Sequence, residues 1–590
     1  GHDDKGWSEP VRIDNPVTDG YGTDNQWTLK PRNIPLMREW DLPAATIRRQ
    51  SGLPGIGTTT IGKEPLAIPA NSTVSVLLDQ GANSVAYPEL TVSGGKGAQV
   101  KMTYAEALFD AKRQKGNRND IDGKTIMGNF DIFRPDGGKA RVFRPLWFRT
   151  WRYLQMDITT GAEALVIDGF KGKGTGYPFE AKASFKSDDA SLQRIWDIGW
   201  RTALNCAGEN YFDCPYYEQL QYEGDTRIQS LISLYVTGDD RLMRKAILDF
   251  WHSRVPAGLT QGRYPSNRIQ VIPPFSLYWV TMLHDYWMHR RDDAFLKQFL
   301  VGAEGVLDWF EQRVDRQKNM LGPLTWWNFA DWNDAFPMGT PDGSTDGNSS
   351  VTTLQYVYTL RQASELFEHF GKKDLAQRYT QLANDLAKGT YKQCYDAGRG
   401  EMANTPEKKA YSQHASIMGV LAGAIPTADR KKVMNRVLND ATLSQATFYY
   451  RFYLTRALKF AGMGDLYYAS LKPWRGMIEN GLTTFAEQPD PTRSDCHAWS
   501  SSPNYDFFAT LTGINPSSPG FRTVRIEPAM GELKEIDAKM PHPDGQIAVK
   551  LKRIGSTVTA EINLPDKLTG HFVWMGKVAE LHGGFQKIQM

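Results

Sequence analysis

From about Asp188 to Thr512 the sequence keeps one period, and that constrains the fold more than any other feature. SLQRIWDIGWRTALN, RLMRKAILDFWHSR, FSLYWVTMLHDYWMHR and DAFLKQFLVGAEGVLDWFEQRV carry apolar residues at i, i+3 and i+4. That spacing gathers the apolar side chains on one face of a helix. TTLQYVYTLRQASELFEHF, DLAQRYTQLANDLAKGTYKQCY, SQHASIMGVLAGAI, KKVMNRVLND, FYYRFYLTRALKFAG and LYYASLKPWRGMIEN continue it. With a short helix after Asp225 and another near Tyr505, the spacing predicts about a dozen helices with no strand among them. Paired helices of this kind bury their apolar faces in a closed toroid of helical hairpins, an (α/α)6 barrel. A looser α-solenoid is the alternative, since no repeat is evident.

The flanks have a different period. Residues 1–64 are rich in Pro, Gly, Asn and Asp, with Trp7, Trp27 and Trp40 among them, and read as an extended segment wrapped on a neighbour. Residues 65–175 alternate apolar and polar between Gly, Asn and Asp turns, which predicts an antiparallel β-sandwich. In that stretch RPLWFRTWRYLQM reads as a strand with Arg149 and Arg152 outward and Trp151 inward. Residues 168–185, with GKGTGYP, read as a linker. The helical domain then spans 186–513, and the short alternating strands of 514–590 predict a C-terminal β-sandwich. The fold class is therefore mainly α with two β-sandwich accessory domains.

Composition excludes several classes of function. A formal net charge of +3 with no basic stripe argues against nucleic acid and anionic membranes as partners. No run of eighteen apolar residues is present, so no membrane span is expected. Cys206, Cys214, Cys394 and Cys496 form no CxxC pair and no Cys/His spacing, so neither a disulfide framework nor a metal is expected. No GxSxG elbow and no glycine-rich phosphate loop is found. The chain opens GHDDKGW without an initiator Met. Removal of a signal peptide upstream is thus an open expectation, with a periplasmic or secreted location favoured over a cytoplasmic one. The 17 Trp, 25 Tyr and 27 Phe pack cores, but their flat faces also stack on sugar rings.

Three loops are too elaborate to be connectors: 208–225, 322–350 and 481–504. The first contains DCPYYEQLQYEGD, which sets Asp213, Glu218, Glu223 and Asp225 beside Tyr216, Tyr217 and Tyr222. Acids and aromatics together suit a polyhydroxylated ligand. The second holds Trp327, Asp331 and Trp332, candidates for a sugar platform; the third holds Glu487, Asp495, His497 and Trp499. Helix capping, turn formation and core packing are the competing roles for all of these residues.

The first loop resembles the motif of bacterial α-L-rhamnosidases of glycoside hydrolase family 78, roughly Asp-Cys-Pro-x-Arg-Glu-Arg-x-Gly-Trp/Tyr-x-Gly-Asp. Asp213, Cys214, Pro215, Glu218, Tyr222, Gly224 and Asp225 match it. Tyr217 and Gln219 stand where the family has arginines, and Gln221 where it has glycine, which leaves the choice of sugar open. The TTFAEQ segment and the order of domains extend the resemblance through the chain. It implies exo-acting, inverting release of terminal α-L-rhamnose from a glycan or glycoside, with no cofactor and no metal. Glu218 is implied as general acid and Glu487 as general base, one from each side of the bond. Asp213 and Asp225 are implied to hydrogen-bond the sugar, His497 resembles the family histidine after the base, and Tyr217 and Tyr222 complete the carbohydrate-binding set. A general acid needs a raised pKa, which the acids and tyrosines around Glu218 are expected to supply. The alternatives are a related glycosidase for another terminal sugar such as L-fucose, or a non-catalytic glycan-binding relative. His252, His284, His289, His369 and His414 fall within helical patterns and are given no role.

Overall fold

The computed structural model describes residues 5–9, 31–53 and 64–590; much of the extended segment read over 1–64, Trp27 included, lies outside them. The described remainder of that segment is more than a wrapping. Arg38–Asp41 and Thr46–Ser51 are strands of the first sheet, paired antiparallel with Leu165–Gly176 and Thr73–Gly94. This nine-stranded sheet runs in the order Arg38–Asp41, Leu165–Gly176, Thr73–Gly94, Arg149–Thr159, Gln99–Ala105 and Phe130–Phe133, with three further strands paired off that path. Thr73–Gly94 is its axis. A register shift between Asp79 and Ser84 breaks its pairing with Arg149–Thr159, and Gly81 in that break takes a φ of +82° that favours glycine. On either side Val74, Val76, Leu78, Leu90 and Val92 turn inward and pack with Val100, Met102, Leu154, Met156 and Ile158.

Two readings of this region need correction. Trp151 is buried as expected, but Arg152 does not point to solvent; it is buried too, on the other face of the strand. That face is covered by the helical domain, where Arg152 Nη1 donates to the Gly481 carbonyl at 2.9 Å, while Nε meets Asp79 of the adjoining strand Thr73–Gly94 at 3.2 Å. The stretch 168–185 is not a linker either. Its first part belongs to the strand Leu165–Gly176, and Ser184–Ser187 pairs antiparallel with Glu535–His542 at the far end of the chain.

The helical region alternates two kinds of helix. Glu223–Val236 is buried at every position, and Pro273–His289, the first part of Ser350–His369, Gln413–Leu421, Phe448–Phe460 and Pro503–Leu511 are nearly so. Ala190–Asn205, Arg241–His252, Leu300–Glu311, Lys373–Cys394, Arg430–Asn439 and Lys472–Glu479 bury one face only. A helix apolar all round must lie inside and a one-faced helix outside. The inner helices pack each on the next, and the 498–506 segment touches both Phe448–Phe460 and Glu223–Val236. The pattern read as one helix over 293–314 is broken into Asp293–Lys297 and Leu300–Glu311. Strands do interrupt the helices, as two small hairpins: Val314–Asp315 with Met320–Leu321, and Tyr395–Asp396 with Glu401–Met402.

Beyond Gly513 two sheets follow. Ser184–Ser187, Glu535–His542, Gly545–Ile554, Thr557–Leu564 and Gly584–Gln589 make one. Ile514–Pro516, Thr523–Ile526, Thr569–Trp574 and Lys577–Leu581 make the other. Val549, Ile562, Val524 and Phe572 join a core continuous with that of the helices. Among the described residues no helix is long and apolar enough to cross a membrane.

Candidate active site

The inner helices present their N-terminal ends to one place. Glu218 and Tyr222 precede Glu223–Val236, Ile272 precedes Pro273–His289, and the 498–501 turn leads into Pro503–Asp506. The loop before the first of these helices is closed on itself. Asp213 N donates to the Leu220 carbonyl at 2.8 Å, and Asp213 Oδ1 accepts from Leu220 N at 3.0 Å. Glu218 stands at its tip. Gly224 is required by close packing: a Cβ there would lie 2.5 Å from Tyr449 Oη and 2.7 Å from Phe275 Cζ. The next residue, Asp225, enters the first helical turn, where the positive end of the helix dipole favours an anion.

These elements enclose a cavity with a polar and an apolar half. Asp213, Glu218, Tyr222, Asp225, Glu487 and His497 form the first; Ile272, Phe275, Trp327, Phe329, Trp332 and Trp499 form the second. Eight of the ten residues singled out in the sequence thus line one space, from all three long loops. Two do not. Tyr217 is 40% exposed and faces a neighbouring groove. Asp331 is fully buried behind the tryptophans, where its carboxylate meets His414 Nε2 at 2.7 Å and accepts from Thr447 N at 2.8 Å and from the Thr447 hydroxyl. Asp331 therefore braces the platform rather than lining the cavity.

The two glutamates share a cation. Arg493 Nη2 donates to Glu218 Oε1 and lies 3.7 Å from Glu487 Oε2. Tyr222 donates to Glu218 Oε2 at 2.8 Å and accepts from Arg263 Nη1 at 2.9 Å. Burial pushes the Glu218 carboxyl up, but Arg493 and the Tyr222 hydroxyl outweigh it and hold it below the usual range. The sequence-based expectation of a raised value is thereby reversed for the free protein.

On the other side His497 Nε2 stands 3.1 Å from Asp225 Oδ1. Burial opposes charge on His497, yet Asp225, Glu487 and Asp213 prevail and raise it to about 9, so it is an imidazolium at neutral pH. Its Nδ1 is buried with no hydrogen-bond partner among the described residues. Burial likewise raises Asp225 and pushes Asp213 up to about 7.

The loop bearing Glu487 is held by the first sheet's domain. Arg118, 2% exposed at its side chain, pairs with Asp490 through two hydrogen bonds of 2.6 and 2.7 Å. It also meets Asp495 at 3.0 Å, with Lys115 Nζ equally close to that carboxylate. Glu487 N donates to Ser494 O at 3.1 Å, and the Trp499 indole donates to Glu487 O at 2.8 Å.

A metal is a poor match for this site. Asp213, Cys214 and His497 set their donor atoms within 4.8 Å of one another. However, the Cys214 thiol donates to Asp213 Oδ2 at 3.1 Å, and burial raises it well above the range in which a thiolate ligand forms.

Arg493, Arg263 and Arg118 are the neighbours of the site that sequence reasoning passed over; Trp499, named there only as part of its loop, lines the cavity. Only Arg493 left a signal, as the lone base between Glu487 and Asp495 in an otherwise acidic loop. Tyr217 and Gln219 replace two arginines of the family motif; from elsewhere in the chain Arg493 brings a guanidinium to Glu218, and Arg263 brings one to Tyr222, which itself donates to Glu218.

Residues 180–511 match the family model described as the bacterial alpha-L-rhamnosidase 6 hairpin glycosidase domain, and residues 513–580 match the bacterial alpha-L-rhamnosidase C-terminal domain. A curated alpha-L-rhamnosidase of Alteromonas sp. (strain LOR) is 20% identical over 545 residues, covering 86% of this chain and 57% of its own length. The chain spans about half the length of the curated relatives it matches. The crystal structure of the GH78 family rhamnosidase of Bacillus sp. GL1 has the same fold, with a TM-score of 0.77 at 21% identity, over 86% of this chain and 54% of that one. A Klebsiella oxytoca rhamnosidase solved with rhamnose bound gives a TM-score of 0.69 at 18% identity, over 81% of this chain and 96% of its own.

Proposed function

We propose that this chain, which belongs to the bacterial α-L-rhamnosidases of glycoside hydrolase family 78, is an exo-acting glycosidase that releases terminal α-L-rhamnose with inversion. The observation that carries the reading is the convergence of Glu218 and Glu487, from separate loops, on one guanidinium at the mouth of a tryptophan-walled cavity. The alternation of inner and outer helices supports an (α/α)6 toroid over residues 186–513, with β-sandwich domains before and after it. Ser184–Ser187 then belongs with the second sandwich.

In this mechanism the sugar enters with its apolar face on Trp327, Phe329 and Trp332 and its hydroxyls toward Asp213, Asp225 and His497. His497 Nδ1–H is a free, charged donor for one of them. Sugar and leaving group displace Arg493 from Glu218. With the guanidinium gone, burial is opposed mainly by the Tyr222 hydroxyl and the His497 charge, and Glu218 shifts toward the protonated form needed to donate to the departing oxygen. Glu487 takes a proton from a water on the opposite face, which attacks the anomeric carbon through an oxocarbenium-like transition state. The bond from that carbon to the leaving oxygen breaks as the new C–O bond forms, and the configuration inverts. All of this uses protein side chains and water.

The test of substrate class is a panel of aryl glycosides assayed side by side: α-L-rhamnoside, α-L-fucoside and β-D-glucuronide. Hydrolysis of the rhamnoside alone, or far ahead of the others, is expected. Turnover of the fucoside alone would transfer the same carboxylate mechanism to another sugar.

A further inference from the structure

We propose that the groove between the first sheet and the 213–219 loop holds the next sugar ring of the glycan, on the leaving-group side of the bond to be cut. This rests on the reading of Glu218 as general acid. An acid that protonates a glycosidic oxygen stands between the sugar released and the group that leaves. Glu218 lines the cavity on one side and this groove on the other, so the occupant of the groove is the leaving group.

Size and surface fit that occupant. The groove encloses about 510 Å³, within the range of small-ligand sites. Phe130, Trp147 and Tyr217 stand around it 53%, 48% and 40% exposed. Large aromatic rings left open around one concavity mark a binding surface. Their flat faces match the C–H faces of a pyranose, while the amides of Asn129 and Gln219 stand between them for hydroxyls.

The groove is also built in advance of its ligand. Trp147 Nε1 donates to Gln219 Oε1 at 2.8 Å, and Gln219 Nε2 donates to the Pro215 carbonyl at 2.8 Å, so both ends of this amide are fixed. Gln219 takes a φ of +57°, rare outside glycine, directly after the proposed acid. Tyr216 ties loop to sheet, donating to the Tyr104 carbonyl at 2.8 Å and accepting from Asn129 N at 2.9 Å. A surface fixed before binding loses little freedom on binding.

The experiment compares kcat/KM for a neutral rhamnosyl disaccharide and for methyl α-L-rhamnoside, whose leaving group is too small to reach the rings. The ratio of the two is read in wild type, Trp147→Ala, Trp147→Phe and Phe130→Ala, with thermal melts to verify folding. The ratio is expected to fall about tenfold in Trp147→Ala, an effect of the size stacking contacts give, and to be largely restored in Trp147→Phe. A ratio unmoved by Trp147→Ala and Phe130→Ala, in proteins that cleave both substrates, overturns the subsite. So does a loss confined to planar phenolic rhamnosides, which would assign the groove to an aryl group. A wild type that cleaves no rhamnoside at all overturns the parent reading instead, and the subsite with it.

Discussion

Arg493 donates one guanidinium nitrogen to Glu218, and through that nitrogen the proposed acid is tied to the loop that carries the proposed base. This ion pair holds the Glu218 carboxyl below its usual range in the free protein, so in the proposed mechanism substrate entry and arming of the acid are the same event.

The first prediction concerns that ion pair. The alkaline limb of a kcat/KM profile reports the pKa of the essential acid in the free enzyme. Arg493 holds this value down, so Arg493→Met should move the alkaline limb upward in pH. Profiles of wild type and variant on one aryl rhamnoside decide it; an unmoved or lowered limb would mean that Arg493 does not control Glu218.

The second concerns His497. Its folded value of about 9 lies above the ordinary 6.5 of the imidazole, so its stabilising contribution is complete below pH 6.5 and is lost as the pH rises through 9. The full shift corresponds to on the order of 3 kcal/mol. The gap in unfolding free energy between wild type and His497→Gln should therefore narrow between pH 6 and pH 10. A constant gap would show that His497 is not charged in the folded protein.

A third prediction addresses the brace on the base loop. Removing one partner of a buried ion pair leaves the other uncompensated, at a cost of about 3–5 kcal/mol. Arg118→Met leaves the buried Asp495 with Lys115 alone and releases Asp490, so it should lower the melting temperature by less than that full cost implies and reduce kcat more than it changes KM. Unchanged kcat in a destabilised protein would make the network structural only.

The fourth separates the two glutamates by their chemistry. Glu218→Gln removes the donated proton and should cost about 10²–10⁴-fold on a poor leaving group. On an activated aryl glycoside, whose phenolate departs with little help, the loss should be much smaller. Glu487→Gln should cost similar factors on both, because the attacking water is needed either way. Small, equal losses from both variants would reduce the protein to a sugar-binding scaffold.

How much of this was legible in the sequence depended on the range of each interaction. The 3.6-residue period announced the helices because it is local, and the motif around Glu218 announced the site. The two-residue strands at 314–321 and 395–402 are too short to carry a period. Ser184–Ser187 looked like linker because its partner strand, Glu535–His542, lies at the opposite end of the chain. Arg149 and Arg152, three residues apart, cannot share one face of a regular strand, and only the fold reveals that the 480–484 segment covers the second. Asp331 was read as a sugar ligand because His414 and Thr447, which occupy it, are far away in sequence. The lowered carboxyl of Glu218 follows from an arginine in another loop, while its neighbours in sequence had pointed the opposite way.

In the proposed reaction Glu487 activates water against a bond that Glu218 protonates. Proton NMR of the first turnovers on an α-L-rhamnoside, read before mutarotation scrambles the anomers, tests it most directly. β-L-Rhamnose is expected as the initial product. Initial α-L-rhamnose, or a glycosyl-enzyme trapped on Glu487, would contradict it and make the enzyme retaining.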